Sequence, residues 1–139
     1  MAGPHGHNAL MTPTTDNAPG RTRAVRIGAT LLGIGTVHFV APKPFDDIVP
    51  AELPGSPRFY TYASGVAELA TGTLLLVPRT RRLAGLAAAA LFVSVFPANI
   101  NMVRLWWDKP WPMRVIAIAR LPLQFPMITQ ALKIWRSEP

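Results

Sequence analysis

Four long apolar runs constrain this chain more tightly than anything else in it: Ala24 to about Ala41, Tyr60 to Val77, Leu83 to about Val103 and about Val115 to Trp135. Each holds about 18 to 21 residues, which at a helical rise of about 1.5 Å crosses a hydrocarbon layer of about 30 Å. Half of the residues are apolar and only 15% are charged, against roughly a quarter in an average soluble domain. With so few charges to cover a water-facing surface, lipid is the expected solvent. The chain reads as an all-α protein: a four-helix transmembrane bundle with a proline-rich extracytoplasmic loop.

The net charge of +7 invites a nucleic-acid reading, because basic proteins gain affinity from phosphate neutralisation. The basic residues, however, sit in short clusters that flank the apolar runs, as charges stopping at a membrane surface do, and no nucleic-acid partner is expected. There is no cysteine, so thiolate metal sites and thiol–disulfide relays are excluded. Residues 1–22 mix Gly, Pro, His, Asn and Thr without apolar periodicity and read as a disordered cytoplasmic tail. Its histidines, His5 and His7, are read as solvated rather than metal-binding. A cleaved signal peptide would also place arginines before an apolar run. Here the run starts far from Met1, carries His38 and lacks a small-x-small site, so an uncleaved helix is expected and the domain is taken as 23–137.

Orientation follows from the distribution of Arg and Lys. An inner amino terminus puts Arg21, Arg23, Arg26, Arg79, Arg81, Arg82, Lys133 and Arg136 on the cytoplasmic side and Lys43, Arg58, Arg104, Lys109 and Arg114 outside. The expected location is therefore the bacterial inner (plasma) membrane, multi-pass, with both termini cytoplasmic. In the loop from Pro42 to Arg58, Phe45, Ile48, Val49 and Leu53 lie at near-helical spacing, which predicts a short interfacial helix capping the outer end. Trp106, Trp107 and Trp111 suit the headgroup level as anchors.

Polar residues inside the runs are few: His38, Glu68, Asn99, Asn101, Arg120 and Gln124. Helical rise from the outer ends puts His38 about 6 Å deep, Glu68 about 12 Å, Asn99 about 8 Å and Arg120 about 10 Å, so all four helices contribute to one layer. Ionisable groups in hydrocarbon cost several kcal/mol and seek partners, which predicts a Glu68–Arg120 ion pair completed by His38 and Asn99. Stripes of Gly28, Leu31, Gly35 and His38, of Thr61, Gly65, Glu68 and Gly72, and of Arg120, Gln124, Met127 and Ala131 are expected to face inward, since small residues let helices approach closely in lipid. Pro97, Pro122 and Pro126 each remove a backbone donor and are expected to kink the helices near that layer.

Two readings of the layer stay open. It is structural glue that fixes which helix meets which, or it is a site (His38, Glu68, Asn99, Arg120 and Gln124) for a polar-headed ligand such as a quinone. A quinone's carbonyls would accept from Arg120, His38 or Asn99, and Glu68 with His38 would handle protons.

The ordered motifs G-x-x-H-F-x-x-P-x-x-F at Gly35–Phe45, I-V-P-x-x-L-P at Ile48–Pro54, S-G-V-A-E-L-x-x-G at Ser64–Gly72, P-R-T-R-R at Pro78–Arg82, F-P-A-N-I at Phe96–Ile100 and R-L-P-L-Q at Arg120–Gln124 resemble the DoxX-like family of small bacterial integral membrane proteins, over about residues 25 to 136. The resemblance implies a four-helix membrane bundle. The family takes its name from a membrane subunit associated with thiosulfate:quinone oxidoreduction, and other members are linked to oxidative-stress complexes. The expected function is an accessory subunit of a membrane redox system that binds quinone or lipid. The alternative is a non-enzymatic assembly or scaffold protein that binds partner transmembrane helices, including a second copy of itself. A transporter is less favoured, because four helices without a repeat leave little for alternating access. Lacking metal ligands, cysteines and a nucleotide motif, the chain is not expected to work as a stand-alone enzyme.

Overall fold

A computed structural model describes residues 18–137, which form helices and no strands. The long helices are α1 (Ala18–Val40), α3 (Pro57–Leu76), α4 (Arg81–Ser94), α5 (Phe96–Leu105) and α6 (Trp111–Ser137), and α2 (Lys43–Asp46) is a single turn. The tail expected over 1–22 falls largely on residues 1–17, outside the described residues, as do His5 and His7. From Ala18 onward the chain is already helical, six residues earlier than the apolar run begins. A helix that needs no apolar side chain in its first turns can extend beyond the run that defines it.

α3 begins at Ser56, whose hydroxyl accepts from the Phe59 amide while Pro57 occupies the first helical position, where its missing N–H costs nothing. The third apolar run is broken. α4 ends at Ser94, Val95 forms a turn, and α5 restarts at Phe96 with Pro97 in its first turn, because Pro97 can neither donate to Val93 nor fit beside that carbonyl. By contrast, α6 continues as helix through Pro122 and Pro126.

The packing is cyclic: α1 lies on α3, α3 on α4, α4 on α6, and α6 returns to α1. That places α1 and α4, and likewise α3 and α6, on diagonals. The α1–α3 seam is built on glycine. A Cβ added to Gly72 would sit 2.9 Å from the Gly28 carbonyl oxygen, and one added to Gly35 would sit 3.1 Å from that of Gly65. The α4–α6 seam has one such point, Gly85, where an added Cβ would lie 2.9 Å from Ala131 O. The inward stripes predicted on α1 and α3 are buried as expected. On α6 Gln124 and Ala131 are buried, Met127 is half-buried, and Arg120 is exposed.

The two ends of the bundle differ. At the arginine end, carrying the Arg79–Arg82 turn, an apolar core gathers Ala24, Leu31, Leu75, Ala88, Phe92 and Ile134. At the loop end, carrying Pro42 to Ser56, the buried side chains are mostly polar: His38, Thr61, Glu68, Asn99 and Asn101. The expected cap over this end is present but shorter than predicted, since Pro50 and Pro54 leave turns after Asp46. Ile48 packs on Met102 and Ala117, with half-buried Trp106 beside them, while Leu53 stays exposed.

Two helical stretches, Arg81–Leu105 and Trp111–Ser137, are long and apolar enough to cross a membrane, rather than the four expected. α1 and α3 fall short because α1 carries Arg23 and Arg26 and because their shared face holds Gly28, Gly35, His38, Thr61, Gly65, Glu68, Thr71 and Gly72. These small and polar groups dilute the apolar content of a helix even when they touch only one another.

Candidate functional site

Heptad spacing sets out the site. On α1 the residues Ala24, Leu31 and His38 stand seven apart and all are buried; on α6 the same holds for Ala117, Gln124 and Ala131. A second seam runs beside each. On α6 it comprises Arg120, Met127 and Ile134, and on α1 it comprises Gly20, Ile27 and Ile34. At the arginine end both second seams are covered: Ile134 is 0% exposed, and Ile27 and Met127 pack on the apolar core. Toward the loop end both open, leaving Ile34 39% exposed and Arg120 exposed. Ile34 and Arg120 are thus uncovered in the loop-end halves of α1 and α6, the two helices that close the ring.

Behind the α1–α3 seam lies the buried ion pair. His38 Nδ1 is 3.1 Å from Glu68 Oε2, and their side chains are 7% and 9% exposed. The same nitrogen is 2.9 Å from the Ile34 carbonyl oxygen. One N–H thus faces two acceptors. It aligns with the carbonyl, and Glu68 Oε2 is left without a hydrogen bond of good geometry, an oxygen held by charge and able to accept more. The approach of the two helices that makes the pair depends on Gly65, where a Cβ would lie 2.9 Å from His38 Cβ.

Above the pair sits Phe45 of α2, its ring stacked on His38 at 3.8 Å between centroids. Two contacts hold this cover in place. Arg58 donates from Nε to Asp46 Oδ2 at 2.8 Å, with its Nη2 at 2.8 Å from the same oxygen, and Asn101 Nδ2 donates to the Ile48 carbonyl at 3.0 Å. The Arg58 guanidinium, aided by the Thr61 hydroxyl, holds the Asp46 carboxyl below its usual range. That hydroxyl and Asp46 Oδ1 are both buried near one another without a regular hydrogen bond. Arg58 also lies over the Tyr62 ring, 5.4 Å from its centroid, and Tyr62 stacks on Phe39.

The predicted layer is thus only partly assembled. His38 and Glu68 meet. The predicted Glu68–Arg120 pair does not form: Glu68 faces α1, and Arg120 makes no ion pair among the described residues. The reason is topological, since helical rise fixes depth but not azimuth, and α3 and α6 lie across a diagonal. Gln124 is buried and donates from Nε2 to the Phe92 carbonyl at 3.0 Å, where the last turn of α4 leaves carbonyls without helical partners. Asn99 is 5% exposed. The sequence reading named Phe45 in the cap and Asn101 among the polar residues but not their partners, the His38 ring and the Ile48 carbonyl. The G-x-x-H-F-x-x-P-x-x-F spacing, which puts Phe45 seven residues after His38, was the available signal for the first.

The family model described as Domain of unknown function (DUF8561) matches residues 27–135, a span that runs from α1 to the last turns of α6. No curated protein and no solved structure matches the chain.

Proposed function

We propose that this chain, which belongs to the DUF8561 family, is a four-span protein of the bacterial plasma membrane that takes a quinone or lipid headgroup at exposed Arg120 of α6, as an accessory subunit of a redox system. The membrane reading is supported by the inverted distribution of side chains. Large apolar residues such as Val40, Leu83, Val93, Ile116, Leu123 and Phe125 are exposed, whereas beside a small apolar core the interior holds glycine, alanine, threonine, histidine, glutamate and asparagine. A core helix of a water-soluble fold is mostly buried, yet only 39% and 17% of the two most apolar windows are. The same inversion is supported on α1 and α3, whose low apolar content lies in their mutual seam. The Arg and Lys asymmetry puts the arginine end and both termini in the cytoplasm. The redox association is what the DoxX-like resemblance implies.

One observation carries the ligand reading: Arg120 occupies the same heptad seam as buried Ile134, yet it is exposed and unpaired among the described residues. An arginine at that depth needs an acceptor. A carbonyl or phosphate entering sideways from the bilayer would provide one, with Ile34, Ile116 and Leu123 left to line its tail. His38 and Glu68, close behind α1, would take or give protons at such a headgroup.

The test is retention and titration of a decyl-tailed benzoquinone by the detergent-solubilised protein. Binding by the wild type that falls at least tenfold in Arg120→Leu supports the reading. No binding, or equal binding by both, would exclude it. The scaffold alternative is favoured by Gln124 and Asn101, which spend their amides on internal carbonyls. A crosslinked partner helix at Arg120 with no quinone bound would select it.

A further inference from the structure

Among the described residues the charges are segregated by end. Every described acid lies in the loop-end half: Asp46, Asp47, Glu52 and Asp108 in the connections, and Glu68 in the buried pair. There they offset Lys43, Arg58, Arg104, Lys109 and Arg114, with three ion pairs formed: Lys43–Asp47, Arg58–Asp46 and Arg104–Glu52. The arginine end has no described acid at all. Helix direction brings Arg23 and Arg26 of α1, Arg79 and Arg82 of the α3–α4 turn, and Lys133 and Arg136 of α6 to that one end.

The presentation of these cations is fixed by the fold. In the turn, the Thr80 hydroxyl donates to the Leu74 carbonyl at 2.7 Å, and buried Arg81 donates from Nε to the Leu75 carbonyl at 3.1 Å. With the turn pinned from inside, Arg79 and Arg82 are left exposed on either side of Arg81. Neither α1 nor α4, whose amino termini lie at this end, has an acid in its first turn. Cations thus stand at the positive ends of two helix dipoles, a placement that disfavours the isolated protein and favours an anion outside it.

We infer that the arginine end is a binding collar for anionic phospholipid, in which Arg26, Arg79, Arg82 and Arg136 engage headgroup phosphates of the cytoplasmic leaflet. This rests on the membrane reading above and is independent of the ligand reading at Arg120. Lipid fits this surface better than an acidic protein segment, because the cations come from three separate elements around the rim of the bundle, beside exposed apolar side chains such as Val25 and Leu83. That is the arrangement an annulus of headgroups and chain tops meets. Each arginine near an anionic surface contributes about fivefold in binding at low salt, less as salt screens it.

The experiment reconstitutes the full chain in vesicles of equal phosphatidylcholine and phosphatidylglycerol and reads by native mass spectrometry which lipid stays bound on extraction. The wild type is expected to retain phosphatidylglycerol preferentially. The triple variant Arg79→Gln, Arg82→Gln, Arg136→Gln is expected to lose that preference, while Lys43→Gln, Arg104→Gln, Lys109→Gln, which removes equal charge from the loop end, keeps it. Equal retention of the two lipids by the wild type, or an equal loss in both triples, would overturn the collar. Equal retention combined with salt-sensitive binding of a polyglutamate peptide at the three arginines would replace the lipid by an acidic protein segment. A chain stripped from the vesicles by alkaline carbonate would overturn the membrane reading and the collar together, whereas one that stays inserted isolates a failure to the collar alone.

Discussion

The arginine half and the loop half of the bundle are built from the same four chain directions but cohere by different means. In the arginine half Leu31, Leu75, Phe92 and Ile134 fill the centre, and Ile27 of α1 and Met127 of α6 pack against it. In the loop half the centre holds an ion pair and amides, and one seam on α1 and one on α6 stay open. Apolar filling tolerates small changes of shape at modest cost. A buried pair does not, because each partner is acceptable only while the other is present.

The largest effect expected from this contrast is at Glu68. Glu68→Leu leaves the His38 imidazole buried beside the Ile34 carbonyl without its countercharge and should cost about 3 to 5 kcal/mol, read as loss of thermal stability in detergent. Adding His38→Leu to it should restore most of that loss, and a double variant as unstable as the single one would show that the halves do not differ in this way. Next is Gly72→Ala, whose Cβ would lie 2.9 Å from the Gly28 carbonyl oxygen, a backbone atom that cannot swing aside. A loss of about 1 to 3 kcal/mol is expected. Gln124→Leu would orphan the Phe92 carbonyl at the junction of the two halves, for about 1 to 2 kcal/mol, and an unchanged unfolding curve would mean that the α4 break satisfies itself. At Gly33 an added Cβ meets nothing within 4 Å, so Gly33→Ala should stabilise α1 by about 0.5 to 1 kcal/mol.

The smallest expected effect lies in the cover over His38. Because Asp46 has its carboxyl held low by Arg58, the pair's contribution is complete above the ordinary carboxylate range and is lost as pH falls through the depressed value, below about pH 4. Hydrogen exchange at the His38 ring should therefore quicken only in that acidic window, and Asp46→Asn should remove the dependence.

The sequence made the helices and their inward faces legible because periodicity is a local property. Gly28, Gly35, Gly65 and Gly72 could be assigned to seams before any neighbour was known. The break at Val95 was half legible, since Pro97 announced a disturbance but not that α6 would stay helical through Pro122 and Pro126. What sequence could not supply was azimuth. Glu68 and Arg120 share a depth and carry opposite charge, and nothing in the order of residues says that α3 and α6 face each other across a diagonal. His38 won the carboxylate because α1 is the helix that glycine allows nearest. The pairings of Asn101 and Phe45 were hidden for a related reason: their partners, the Ile48 carbonyl and the His38 ring, become neighbours only after the loop folds back.

The seven-residue spacing of Gly28 with Gly35, Gly65 with Gly72 and Ala117 with Gln124 and Ala131 falls short of two full turns of a straight helix by only about 20°, which keeps each set on one face. Such a bundle tolerates exchange of residues far better than a change in their number. One residue inserted between Leu31 and Gly35 would swing everything beyond it by about 100°, carrying His38 away from Glu68 while leaving its chemistry intact.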